Sequence, residues 1–168
     1  MTKILLIEPN EAHSKLIRDR IEAGIDRARV DETPNLKKGL DLLTRRAYDC
    51  ILTDTATPEE SDIRLIQQLK KAAGTVPIIV VTGRTDDGRA SAIIRNGAAD
   101  YVLKSRATLE AIPELVRKNI LKSQVKHPLL VPANVLRRIL DEIEKNVSRD
   151  VRAKIRKIRK NTEKLLSR

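Results

Sequence analysis

The sequence predicts an α/β fold: a doubly wound, five-stranded parallel sheet over residues 1–125, with a C-terminal helical extension over residues 126–168. Three observations carry this reading. Five short, almost purely apolar runs recur along the first 125 residues, and a sheet covered on both faces needs strands of that kind. Each run is followed by a longer stretch with apolar residues at helical spacing, so strands and helices alternate as crossover units require. Beyond residue 125 the apolar residues fall only at helical spacing, in a strongly basic background.

Ile4-Leu5-Leu6-Ile7 is the first strand. Asn10 is placed to cap a helix that turns Leu16, Ile17 and Ile21 inward and is stopped by Gly24. A weaker strand over Arg29 to Asp31 precedes Pro34-Asn35, which opens a helix carrying Leu36, Leu40 and Leu43. Cys50-Ile51-Leu52 is the third strand, and the helix after it carries Ile63, Ile66 and Leu69 and ends near Gly74. Ile78-Ile79-Val80-Val81 is the fourth; its helix carries Ile93 and Ile94 and ends at Asn96-Gly97. Tyr101-Val102-Leu103 is the fifth, followed by a helix with Leu109, Ile112, Val116 and Ile120.

Composition removes several classes of function. The lone Cys50 rules out an internal disulfide framework and a cysteine-rich zinc site. Trp and Phe are absent and only Tyr48 and Tyr101 are aromatic, so the stacking platforms of single-strand binders are missing. No apolar run approaches the roughly 18 residues that cross a bilayer, which argues for a cytoplasmic protein without a membrane span. Neither a Gly-rich phosphate loop nor a dinucleotide fingerprint is present, against a nucleotide-binding enzyme. The net charge of +11 is unevenly spread: residues 126–168 hold 13 of the 34 basic groups but 5 of the 23 acidic ones. The charge therefore describes a segment rather than the whole fold.

In an open parallel sheet, chemistry gathers beyond the carboxyl ends of the strands. Strand one ends at Glu8, strand three at Asp54, strand four at Thr82 and strand five at Lys104. Any one of these is an ordinary polar strand end. Together they suit a phosphoryl group. One carboxylate can act as acceptor nucleophile and the other help to hold a divalent cation, while the ammonium and hydroxyl bind phosphoryl oxygens.

The motifs around these ends sharpen the reading. Tyr48-Asp49-Cys50-Ile51-Leu52-Thr53-Asp54-Thr55-Ala56-Thr57-Pro58, Val76-Pro77-Ile78-Ile79-Val80-Val81-Thr82 and Asn96-Gly97-Ala98-Ala99-Asp100-Tyr101-Val102-Leu103-Lys104 resemble the response-regulator receiver domains of two-component signalling, the chemotaxis-regulator-like family. The resemblance covers residues 2–123 and implies a flavodoxin-like receiver fold. It makes Asp54 the phosphoacceptor, Pro58 the proline that follows it, Thr82 the switch hydroxyl, Tyr101 the switch aromatic and Lys104 the family lysine. The implied protein is a phosphorelay component that accepts its phosphoryl group from a sensor histidine kinase. It then switches the surface formed by the fourth helix, fifth strand and fifth helix. It is not an enzyme beyond autocatalytic phosphoryl transfer and autodephosphorylation.

Three positions depart from that family. The usual acidic pair after strand one is Glu8-Pro9, so a magnesium site would rest on Glu8, Asp54 and the backbone carbonyl of Ala56, with weakened affinity. Ser105 replaces the proline that usually follows the lysine, which predicts a freer loop. Ala56 and Arg84 occupy positions that tune dephosphorylation in the family. The Pro9 substitution leaves an alternative: a pseudo-receiver that signals by binding alone.

His13 reads as a solvent-facing residue of the first helix, close to the strand-end edge, and Cys50 as a small core residue. His127 precedes Pro128, which disfavours the helix a phosphotransfer histidine projects from. The extension reads first as two helices with a break at Ser148, and second as one long bent helix. Its second apolar seam is ringed by Arg149, Arg152, Lys154, Arg156, Lys157, Arg159, Lys160 and Lys164. That pattern admits three readings: a solvated face beside a homodimer seam, a contact to the nucleic-acid backbone, or contact with an anionic membrane surface.

Overall fold

The computed structural model describes residues 1–55, 61–83 and 87–126. All five predicted strands and their helices are present: β1 (Thr2–Ile7), α1 (Glu11–Gly24), β2 (Ala28–Thr33), α2 (Leu36–Arg45), β3 (Cys50–Thr53), α3 (Asp62–Ala73), β4 (Ile78–Thr82), α4 (Asp87–Arg95), β5 (Asp100–Leu103) and α5 (Arg106–Lys126). The strands form one parallel sheet in the order β2-β1-β3-β4-β5. The order reverses at β1, so the crevice between β1 and β3 is where this topology places a site.

Alternation along the strands divides the core. Ile4, Leu6, Cys50, Leu52, Ile79 and Val81 face one side, where α1 and α5 supply Ile17, Ile21, Ile112 and Val116. Leu5, Ile7, Ile51, Ile78 and Val80 face the other, where α3 and α4 supply Leu65, Ile66, Leu69 and Ile93 and the leucines of α2 pack in. Strands buried on both faces cannot alternate with polar residues, which is why β1, β3 and β4 read as unbroken apolar runs. β2 lies at the sheet edge and carries Arg29, Asp31 and Glu32; that is why its pattern is the weakest of the five.

Some expected core residues face solvent. Leu16, Ile63, Ile94 and Leu103 each remain more than a third exposed. The inward stripe of α1 is Ser14, Ile17 and Ile21, and that of α3 is Asp62, Leu65, Ile66 and Leu69. An apolar residue one position off such a stripe lies about 100° around the helix. β5 is an edge strand with Tyr101 and Val102 only half-buried.

Gly24 is the last residue of α1, as expected, and serves a second purpose as well. The chain leaves α1 through an extended Ile25, and a Cβ at Gly24 would lie 2.5 Å from Cγ of Pro113. Pro113 stands inside α5, where its ring costs a backbone hydrogen bond, and the missing side chain at Gly24 lets that ring approach. Gly74 ends α3 in the expected way, at φ +63°. Residues 127–168, and with them His127, the two-helix reading and every basic residue of the second seam, lie outside the described residues.

Candidate functional site

The four strand-end residues converge at the carboxyl edge of the sheet, each fixed by backbone pairing next to the ladder. The Glu8 N–H donates to the Thr33 carbonyl at 2.9 Å, the Asp54 N–H to the Ile7 carbonyl at 2.9 Å and the Lys104 N–H to the Thr82 carbonyl at 2.7 Å. All four side chains are nearly or fully buried: Glu8, Asp54 and Thr82 are at most 4% exposed, and the Lys104 side chain 10%.

Lys104 organises the site. Its ammonium donates to Oε2 of Glu8 and to Oδ2 of Asp54, both at 2.6 Å. These are buried, charge-assisted contacts. Because one ammonium serves two carboxylates, the trio carries a net formal charge of about −1. Glu8 is also held through its other oxygen, which accepts the Asn10 N–H at 3.0 Å. The Thr55 hydroxyl donates to Oγ1 of Thr82 at 3.2 Å, and the Thr53 hydroxyl to the Asp54 carbonyl at 3.1 Å. Tyr101 pairs with Val80 in the ladder and packs half-buried against the second core.

Sequence reading missed two neighbours, Asn10 and Thr55, and placed a third, His13, near this edge. Asn10 caps α1, as expected, but its N–H also fixes Glu8. Thr55 engages Thr82 from the residue after Asp54, adjacent in sequence yet without a motif to mark it. His13 is exposed, as read, and its Nδ1 lies 3.3 Å from Nζ of Lys104. His13 is the third residue of a helix whose cap, Asn10, stands two residues after Glu8, which is the signal that places it near this edge. Ser105 does not leave its loop slack: its hydroxyl accepts the Thr108 N–H at 3.1 Å and its carbonyl accepts the Leu109 N–H at 2.9 Å, anchoring the start of α5. Cys50 is fully buried in the first core, and burial pushes its thiol up.

The donor set suits a hard cation only in part. Glu8 and Asp54 offer two carboxylates converging on one point, the oxygen chemistry that magnesium takes. No group of three or more His, Cys, Asp or Glu among the described residues is placed to hold a metal ion. Ala56, Pro58 and Arg84 lie outside the described residues.

A second polar cluster joins the edge strand β2 to the segment just before β3. Oδ2 of Asp31 accepts the Tyr48 hydroxyl at 2.7 Å and the Arg46 guanidinium at 2.8 Å. Burial, then the hydrogen bond to Asp31, pushes the Tyr48 phenol up to about 12. Burial alone would raise the Asp31 carboxyl, but its bonds from Tyr48 and Arg46 hold it below the ordinary carboxylate range.

The sequence model of the response regulator receiver domain matches residues 4–117. The chain is 32% identical over 104 residues to the KDP operon transcriptional regulatory protein KdpE of Escherichia coli (strain K12), covering 62% of this chain and 45% of that protein. It is 28% identical over 102 residues to the probable C4-dicarboxylate response regulator DctR of Bacillus subtilis (strain 168), covering 61% and 45%. The chain thus spans about half the length of these curated relatives. Among solved structures, a response regulator receiver domain protein from Clostridium thermocellum superposes with a TM-score of 0.66 at 22% identity, covering 74% of this chain and 98% of that one. The Mn2+-bound form of response regulator Rcp1 gives 0.60 at 16% identity, covering 68% and 91%. At these identities the structural likeness establishes the fold.

Proposed function

This chain belongs to the response regulator receiver family, and we propose that Asp54 accepts a phosphoryl group from a sensor histidine kinase and that the change reaches the surface of α4, β5 and α5. The observation that carries the proposal is the Lys104 ammonium set between Asp54 and Glu8 at 2.6 Å from each. A lone buried carboxylate is a poor nucleophile toward an anionic phosphoryl group. Beside an ammonium, part of the repulsion is offset. An Asp54 oxygen forms the new O–P bond as the donor's P–N bond breaks, its electron pair and a proton remaining with the donor nitrogen. Lys104 and Thr82 are the groups that bind the transferred oxygens.

The phosphoryl group brings about −1.5 to −2 charges in place of a single carboxylate charge. That change biases a two-state element only by its differential affinity for the two states. Thr82, buried and bonded to Thr55, and Tyr101, half-buried one strand away, are the residues through which the shift passes. A magnesium ion would be held by Glu8, Asp54 and the Ala56 carbonyl, and when bound it would neutralise phosphoryl oxygens. Pro9 leaves that set one carboxylate short and weakens it.

Incubation with phosphoramidate and magnesium tests the proposal. The full chain gains one phosphoryl group, mapped to Asp54, and Asp54→Asn gains none. A folded wild-type chain that takes none supports the second reading, an interaction module without phosphorylation. Pro9, standing where the family usually has an acidic residue, favours that reading.

The basic extension is proposed as the output or self-association segment, with Arg149, Arg152, Arg156, Lys157, Arg159 and Lys160 contacting a nucleic-acid backbone or a partner. Binding to mixed-sequence duplex DNA that falls steeply with salt and is lost on removal of residues 133–168 supports the nucleic-acid role. Binding that is absent or insensitive to salt refutes it. A cytoplasmic place is proposed for the protein; no helix among the described residues is long and apolar enough to cross a membrane.

A further inference from the structure

An ammonium has three N–H donors, and the structure places three polar atoms around that of Lys104. Two belong to Glu8 and Asp54 at 2.6 Å, and the third is Nδ1 of His13 at 3.3 Å. The third contact comes from outside the strand-end set. His13 stands in the first turn of α1, where its N–H donates to the Asn10 side chain at 3.0 Å. Asn10 in turn donates its own N–H to Glu8 at 3.0 Å. One turn of chain therefore ties the His13 backbone to the carboxylate that its ring approaches through Lys104. The ring borders a cleft of about 290 Å³ that Leu16, Arg20, Lys104 and Ser105 also line, so it meets the lysine from the solvent side, opposite the buried carboxylates.

We propose that His13 is a positioning residue for Lys104. Its neutral Nδ1 accepts the third ammonium proton, which places the ring proton on Nε2. It keeps the lysine head at the mouth of the site when that head exchanges a carboxylate for a phosphoryl oxygen. The role rests on phosphoryl transfer to Asp54 as proposed above. In that transfer the Asp54 O–P bond forms as the donor's P–N bond breaks with its electron pair going to the protonated donor nitrogen. No proton passes through His13 or Lys104.

Two variants at this exposed position separate the ring's acceptor from its bulk: His13→Gln keeps an acceptor of similar reach, and His13→Leu removes it. Two readouts are taken on the full chain: the phosphoramidate-driven rate at Asp54, and the solvent exchange of the Lys104 ammonium protons in the unphosphorylated protein, by NMR with 15N-labelled lysine. In His13→Leu the rate falls and the exchange quickens by about tenfold, the factor expected from losing one charge-assisted hydrogen bond. His13→Gln restores most of both. If the wild-type chain takes no phosphoryl group but the exchange still follows this pattern, the placement of Lys104 by His13 stands and phosphoryl transfer fails. Exchange unchanged in His13→Leu overturns the proposal, and so does His13→Gln behaving as His13→Leu. A quickened exchange with an unchanged rate, in a chain that is phosphorylated, also overturns it.

Discussion

Replacing Lys104 by Met keeps the length and packing of the stem and removes the charge. Both its carboxylate partners are nearly sealed from water, with side chains 1% and 5% exposed for Glu8 and Asp54. At an effective dielectric constant of about 20, a unit pair at the 2.6 Å seen for each contact is worth roughly 6 kcal/mol before desolvation. Burying the charges takes most of that back, but removal of one partner leaves the others uncompensated, at about 3–5 kcal/mol. Glu8 retains its bond from the Asn10 N–H, which points to the lower end, about 3 kcal/mol. At about 4 °C per kcal/mol for a domain of this size, the melting temperature falls by about 12 °C. The assay is thermal unfolding by circular dichroism at neutral pH with EDTA. Magnesium recovers part of the loss, because a divalent cation can take the ammonium's place between the carboxylates. Adding Asp54→Asn recovers part as well, because only one buried charge then remains unpaired. A Lys104→Met protein that melts within about 2 °C of wild type in EDTA would refute this account of the site.

The other predictions concern the scaffold around the site. Gly24→Ala should cost about 1–3 kcal/mol, since its Cβ meets the rigid Pro113 ring at 2.5 Å; Pro113→Ala in the same chain should return most of it, and denaturant midpoints decide. The chain has two tyrosines and no tryptophan, so tyrosinate absorbance resolves Tyr48 directly, with a step near pH 12 that Tyr48→Phe removes. Because the folded phenol lies above its ordinary 10.0, the stability it contributes is complete below about pH 10 and is lost as pH rises toward 12, on the order of 2 kcal/mol. Asp31 runs the opposite way: its carboxyl is depressed, so its contribution is full above the ordinary carboxylate range and disappears as pH falls through the lowered folded value. Asp31→Asn should flatten the acid limb of a stability–pH curve; an unchanged limb counts against the Asp31 assignment. Thr55→Val removes the donor to Thr82 and should shift the switch toward its phosphorylated-like position, read as altered Tyr101 ring signals by NMR without a phosphodonor.

Most of the architecture was legible because burial on both faces leaves a strong sequence trace. β1, β3 and β4 are unbroken apolar runs for that reason, and Asn10 and Asn35 mark helix starts. Edge strands carry a weaker trace, so β2 was predicted short and the exposure of Leu103 was missed. Helix faces shifted by one residue at Leu16 and Ile63 because an amphipathic stripe leaves its own borders open. The Gly24–Pro113 approach has no local signature; it depends on α1 and α5 meeting on one face of the sheet.

The sequence alone determined the kind of site. Four polar strand ends in chain order, with receiver-family motifs around Asp54, Thr82, Tyr101 and Lys104, mark the carboxyl edge of the sheet as the candidate site whatever the packing details. Tertiary structure decided how those charges share one another. The carboxylates of Glu8 and Asp54 lie 46 positions apart in the chain, and Lys104 lies 50 beyond Asp54, so only the fold sets the 2.6 Å contacts. That one ammonium serves both carboxylates and also lies 3.3 Å from Nδ1 of His13 follows from the start of α1 meeting the end of β5. Sequence spacing carries no record of a hydrogen bond made across 91 residues.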